Sequence, residues 1–448
     1  MLVINGTIVT WETPNRILEN QAMLVRGSKI VELGPQDSLL QKYPNEERLD
    51  AKNAFVMPGN LCAHTHFYGA FSRGLAIPGA APADFPEKLS KLWWPLDRSL
   101  NLEDVRYSAL VCLVDAIRHG TTTLIDHHAS PDFIEGSLDE IAQAVDQSGL
   151  RASLCYEVTD RNGPAGTEAG INENLRHIRN IKSGKTHDGR LAGMFGLHAN
   201  LTLSEKTLEA CRKACPEEVG FHIHVAEHPV DEYDSLEKSG MRAIDRLNKH
   251  GMLGPQTLVV HAVHIDVREM EQLAETSTWV SHQPRSNMNN AVGLPMVESM
   301  LRAGIKVCLG NDGFSNAMWE EWKAAFLAHK LVNLDPRRMP AETVVEMAVY
   351  NNAQLVNQQF GITTGVLKEG AEADFITAEY YPFTPVTEGN LPWHMIFGFN
   401  ESMIRDVVVA GKVLLRNRQL QTLDEEKIAY HSQKLIPQVW RRFDEKFI

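Results

Sequence analysis

Residues 54–67 read AFVMPGNLCAHTHF, an apolar run that turns polar only at its end, on His64, Thr65 and His66. The same texture returns in TTTLIDHH (121–128), RASLCYEV (151–158), GMFGLHAN (193–200), GFHIHVAE (220–227), TLVVHAVH (257–264), TWVSHQP (278–284) and KVCLGNDG (306–313). Between these runs lie stretches of helical period such as LEDVRYSALVCLVDAIRHG (102–120) and SEKTLEACRKAC (204–215). Short buried strands alternating with amphipathic helices predict an α/β fold whose parallel sheet is covered by helices. Eight runs is the number that closes a barrel, and no glycine-rich dinucleotide fingerprint follows the first. The expectation is a (β/α)8 TIM barrel over residues 56–365. In nearly every run His, Asp or Glu comes last, so residues far apart in sequence should meet at the C-terminal mouth of the strands.

The two ends of the chain differ from this middle. LVINGTIVT (2–10), QAMLVRG (21–27) and SKIVELG (28–34) read as short strands, and ADFITAEY (373–380) and IRDVVVAGKVLL (404–415) repeat the pattern. They predict one small β-sandwich domain assembled from residues 1–55 and 366–448.

Composition narrows the partners. Lys+Arg 44 against Asp+Glu 57 gives a net charge of -13, which repels phosphate backbones and favours a neutral or cationic small molecule over nucleic acid. The six cysteines are scattered, mostly inside apolar runs, without a disulfide framework. No stretch approaches membrane-spanning length and the N-terminus lacks a leader pattern, so no membrane partner and a cytoplasmic location are expected.

The polar strand ends carry the chemistry. On an extended strand His64 and His66 point to the same side and can reach one ion. His222 and His224 share a face in the same way, and spacing alone does not say which of them binds metal. Glu227 follows three residues later, and Asp312 sits in LGNDGFSN (309–316), where glycines permit a sharp turn. Three imidazoles and a carboxylate suit one borderline divalent ion, zinc before iron(II), with room for a water. Asp312 is then placed to take a proton from that water, and Glu227 to pass it to a leaving nitrogen.

VMPGNLCAHTHF, HVAEH, VVHAVHI, SNMNN and LGNDGFSN resemble the amidohydrolase superfamily, in its cytosine-deaminase-like and triazine-hydrolase-like branch. The resemblance covers essentially the whole chain. DHHASP, LWWPLDR, VTDRNG and RSNMNN further resemble the SsnA group of aminohydrolases, a name that defines no substrate. The superfamily pattern implies that His64, His66, His224 and Asp312 hold the metal, which selects His224 over His222. It implies Glu227 as proton shuttle, His261 as the residue orienting the attacking water, and His198 as a substrate contact. No lysine ends GMFGLHAN or RASLCYEV, where binuclear relatives carry one, so a single ion is expected. The seventh run departs from the common His-Asn-Pro pattern with His282-Gln283-Pro284, followed by Ser286-Asn287-Met288-Asn289. That region borders substrate in the family, so the substrate need not be a familiar one.

His128, Arg73 and His282 are further candidate substrate contacts, although Arg73 could equally cap its loop and His127 and His128 could equally support their neighbours. Trp93 and Trp94 are read as loop packing, and His119, His177, His250 and His329 as local or solvated groups. The function expected is hydrolytic deamination of a nitrogen heterocycle or amidine, releasing ammonia. The alternative is opening of a cyclic amide or ureide on the same metal, and a third reading is a metal-binding scaffold without turnover. A homo-oligomer, a dimer, is expected.

Overall fold

The computed structural model describes residues 1–447. Its centre is built from the eight runs singled out above. Asn60–Thr65, Thr121–His128, Arg151–Tyr156 and Leu191–Gly193 form one parallel arc, and Phe195–Ala199, Phe221–Val225, Leu258–His261, Trp279–His282 and Val307–Leu309 form a second. Leu191–Gly193 and Phe195–Ala199 are two halves of one extended segment, so the fourth run belongs to both arcs. At the other seam an isolated parallel bridge joins Thr65 to Asp312, with Asn311 N–H and Asp312 N–H donating to the His64 carbonyl at 3.0 and 3.1 Å. The first and eighth strand ends are thus held side by side.

Helices follow the strands for reasons visible in the chain. Leu102–Arg118 opens with a reciprocal capping box between Asn101 and Asp104 and buries Val105, Ala109, Leu113, Ala116 and Ile117 along one face. Outside it lies the C-terminal helix Glu425–Asp444, from which Trp440 Nε1–H donates to the Phe71 carbonyl at 3.0 Å and steadies the loop after His66.

The chain ends meet as expected, but in a different form. Leu2–Val9, Ile17–Arg26, Lys29–Pro35, Arg48–Asp50 and Phe55–Pro58 share one hydrogen-bonded nine-stranded mixed sheet with Phe375–Ala378, Ile404–Val409, Lys412–Arg416 and Gln419–Leu420. Phe55–Pro58 pairs antiparallel with Phe375–Ala378, so the sheet passes the expected boundary at residue 55 by three residues. One side of this sheet buries Val3, Ile8, Met23, Val25, Val56, Phe375 and Val408 together, and the other buries Leu2, Ile4, Ala22 and Leu24 against Leu39, so alternate residues feed two separate cores. A separate second sheet facing it does not emerge from the strand pairing, and residues 425–447 are helical. Buried Arg151, at the start of the third parallel strand, clamps the two parts together through Asp374 and Glu372, each at 2.7 Å. Among the described residues no helix is long and apolar enough to cross a membrane.

Candidate metal and catalytic site

Four side chains from two strand ends and one turn converge. His64 Nε2 and His66 Nε2 stand 3.3 and 3.0 Å from Asp312 Oδ1, and His66 Nε2 is 3.2 Å from His224 Nε2. One nitrogen or oxygen from each of the four lies within 4.8 Å of all the others. The remaining ring nitrogens fix the tautomers. His66 Nδ1–H donates to the His127 carbonyl at 2.6 Å and His224 Nδ1–H to the His198 carbonyl at 2.8 Å. Both Nε2 atoms therefore face each other across a carboxylate, and His64 Nε2 is buried beside them without a hydrogen-bond partner. Such a centre calls for positive charge. Burial alone would lower His66, but Asp312 overrides it and lifts the ring to about 9. Burial likewise opposes the Asp312 charge, yet the two imidazoles hold that carboxyl well below its usual range. The donor set fits a divalent ion.

The structure also separates the two histidines that spacing left equivalent. His222 Nε2 lies 2.8 Å from His64 Nδ1, fully buried behind that ring, with Cys155 Sγ 3.6 Å from its own Nδ1. It orients His64 rather than joining the cluster.

Glu227 and His261 occupy one flank. His261 Nε2 is 3.4 Å from Glu227 Oε2 and 4.0 Å from Asp312 Oδ2. Burial, the largest influence, raises the Glu227 carboxyl to about 7. Ala226, His261 and Asp312 are non-glycine residues in left-handed backbone, with φ of 49°, 72° and 58°. Each such residue costs about 1–2 kcal/mol, and their clustering at the ends of the fifth, sixth and eighth strands marks positions held by function.

The short helix Pro284–Asn289 and the residue after it hold this flank together. Ser286 Oγ–H donates to Asp312 Oδ2, His261 Nδ1–H donates to Asn287 Oδ1 at 2.8 Å, and Asn290 Nδ2–H donates to Glu227 Oε1 at 3.0 Å. The Asn287 bond occupies His261 Nδ1 and turns Nε2 toward Glu227. Arg285 anchors the helix from outside through Glu320 and buried Glu321. The segment in which the sequence departs from its family's common pattern is therefore the one that positions all three side chains.

A cavity of about 360 Å³ opens over the cluster. Trp93 and Trp94, expected only to pack a loop, line it together with Tyr68 and Phe314. His198 lines it as well, with burial lowering its ring to about 3. The other three candidate contacts lie elsewhere. His282 alternates with Ser281 along its strand and lands on His329 at 3.1 Å, away from the cavity. His128 is fully buried, with Nε2 2.9 Å from Ser130 Oγ and its ring between Tyr68 and Tyr156. Arg73 follows the turn after Ser72 into a neighbouring hollow that it shares with Asp115 and Glu425. His127 points inward, its Nε2–H shared between the Leu197 and His222 carbonyls at 3.1 Å each. Glu157, which no reading of the sequence singled out, also lines the cavity.

The Amidohydrolase family pattern matches residues 55–414, most of the chain. This chain belongs to the amidohydrolase family. Among curated relatives, a 5'-deoxyadenosine deaminase of Methanosarcina mazei is 32% identical over 441 residues, covering 97% of each chain. A 5-methylthioadenosine/S-adenosylhomocysteine deaminase of Pelotomaculum thermopropionicum is 30% identical, again over 97% of both. A zinc-bound adenosine deaminase from Xanthomonas campestris superposes with a TM-score of 0.84 at 22% identity, covering 98% of both chains. A triazine hydrolase from Arthobacter aurescens gives 0.83 at 22%, covering 97% of this chain and 99% of that one. These neighbours imply a TIM-barrel fold, and this amidohydrolase is a hydrolase of carbon–nitrogen bonds with a histidine-rich candidate metal site.

Proposed function

We propose that this amidohydrolase deaminates an amino-substituted nitrogen heterocycle with one zinc ion, iron(II) being the alternative, held by His64, His66, His224 and Asp312. The observation that carries the reading is Glu227, a buried carboxyl raised to about 7 beside the cluster and held by Asn290. A divalent ion in that donor set lowers the pKa of water toward neutrality. Asp312 receives a proton, with Ser286 fixing its second oxygen. Glu227, poised between its two protonation states near neutral pH, relays one proton of the water to the ring nitrogen beside the attacked carbon, and then relays to the departing amino group the proton that Asp312 has taken from the added hydroxyl, so that both carboxylates are restored. His261, locked in one tautomer by Asn287, presents an acceptor nitrogen to the incoming oxygen. Water is consumed, the amino group leaves as ammonia, and a ring oxo group replaces it.

The relatives' names point to adenine nucleosides as the first class to try. Trp93, Trp94, Leu89 and Leu92 give one side of the cavity an apolar face suited to a flat ring. The test is ammonia release by zinc-loaded protein from adenine nucleosides, free aminopurines and aminopyrimidines, with cyclic amides and ureides read for loss of ring absorbance. Ammonia is expected, and Glu227→Gln is expected to keep its zinc while losing about 10³-fold in turnover. Ring opening without ammonia from any compound refutes deamination.

We also read residues 56–365 as a closed (β/α)8 barrel, supported by the hydrogen bonds at the Thr65–Asp312 seam, and the terminal residues 1–55 and 366–448 as one composite domain. A homodimer is supported by the exposed apolar side chains Leu331, Leu334, Tyr381 and Phe383.

A further inference from the structure

Glu157 stands at the end of the third strand run, beside the candidate metal cluster but on the side away from Glu227. It is 2% exposed, its carboxylate faces the cavity, and among the described residues it accepts no well-directed hydrogen bond. Oxygen Oε2 lies 3.0 Å from His127 Nδ1 but outside hydrogen-bonding geometry, and the Nε2–H of that ring is shared between two carbonyls. One nitrogen of His66 is within 4.8 Å of the same carboxylate, which places Glu157 at ring depth rather than among the outer loops.

His198, at the end of the fourth run, lies on the neighbouring strand end and lines the same cavity. Its Nδ1 is 2.7 Å from Thr202 Oγ1, which leaves Nε2 as the ring atom toward the cavity. A buried carboxylate oxygen without a hydrogen-bonded donor is costly unless something that enters the cavity supplies the proton.

We infer that Glu157 is a specificity-determining residue that, beside His198, receives a hydrogen-bond-donor edge of the substrate. This rests on the deaminase reading for the reaction but concerns a different part of the substrate from the one that reacts. The donor comes either from the base itself, a ring N–H away from the amino-bearing carbon, or from the vicinal hydroxyls of an attached ribose. A site built this way rejects an analogue lacking the donors far more strongly than an apolar wall rejects a methyl group.

Two substrate pairs in zinc-loaded protein separate the sources: adenosine against 2',3'-dideoxyadenosine, and adenine against 9-methyladenine. In at least one pair the donor-deleted member is expected to lose 10²-fold or more in kcat/KM. A loss confined to the nucleoside pair assigns the ribose, and a loss confined to the base pair assigns the ring N–H. Glu157→Gln is expected to keep its zinc and to narrow the same ratio to threefold or less, because the preference, and not only the rate, depends on the carboxylate. If no compound yields ammonia, the deamination reading fails alone, and the same pairs are compared by calorimetric binding, where a difference of tenfold or more is expected. Equal behaviour within both pairs, or a Glu157→Gln protein whose ratio matches that of the unaltered protein, overturns the inference.

Discussion

The two flanks of the cavity are built from the same kinds of residue and solved differently. On the flank formed by the fifth, sixth and eighth strand ends, Glu227, His261 and Asp312 each have a dedicated partner on one segment, Asn290, Asn287 and Ser286. On the flank formed by the third and fourth, Glu157 faces the cavity as an acceptor that the protein leaves unmatched, with His198 beside it. The first flank is organised before anything binds, as groups that move protons must be. The second is complete only when a ligand brings donors. The contrast teaches that burial of a carboxylate does not by itself indicate its task. Whether its partners are protein or absent does.

The harshest way to break the comparison is to remove the centre that both flanks share. His224→Ala is expected to abolish stoichiometric zinc binding, measured by metal analysis after dialysis, and turnover with it. His222→Ala removes a ring that supports His64 without joining the cluster, and is expected to weaken zinc by about 10–100-fold while leaving a loadable site. Equal metal loss in both variants would mean that the two histidines were sorted wrongly.

A sharper cut leaves the metal alone. Asn287→Ala frees the His261 ring to turn and to place its proton on either nitrogen. A fall of about 10–100-fold in kcat with little change in KM is expected, zinc content staying at one ion per chain. An increase in KM at constant kcat would move His261 to the substrate-binding flank and erase the distinction between the two.

Much of this arrangement was legible in the chain, and the exceptions have physical reasons. The eight strand runs could be read because a strand buried on both faces has to be continuously apolar, and its polar end is then conspicuous. His64, His66, Glu227 and Asp312 stood out for that reason. Glu157 sits next to last in RASLCYEV, where the apolar Val158 that follows it hides the polar ending seen in the other runs. His222 and His224 share a face by period, and only the ring packed behind His64 distinguishes them. His128 and His282 were misplaced because a one-residue alternation sends neighbours to opposite sides of a strand, and the ends of these runs do not reveal which side is inward. Trp93 and Trp94 sit on a loop segment whose return over the mouth depends on contacts distant in sequence. The terminal strands were readable singly, whereas their joining into one sheet through Phe55–Pro58 and Phe375–Ala378 is a pairing across more than 300 residues that no local pattern encodes.

The smallest effect asks whether the organised flank is held at the expense of stability. Glu227 has an ordinary carboxyl value of 4.5 and is raised to about 7 in the folded chain. Between those values the native protein keeps a proton that the unfolded chain has released, so stability falls as pH rises through this window and the full penalty applies above it. At about 1.4 kcal/mol per pH unit the ceiling is about 3 kcal/mol, and since glutamine retains part of the burial cost, a gain of about 1–2 kcal/mol is expected for Glu227→Gln. Thermal unfolding of the metal-free proteins should then show the variant higher by a few degrees at pH 8 and level with the unaltered chain near pH 4.5. The same substitution at Glu157 has no such sign, because the charge there already sits among imidazoles that favour it, burial notwithstanding. Its expected result is no gain at pH 8, and a gain at both positions would show that the two carboxylates differ less than their partners imply.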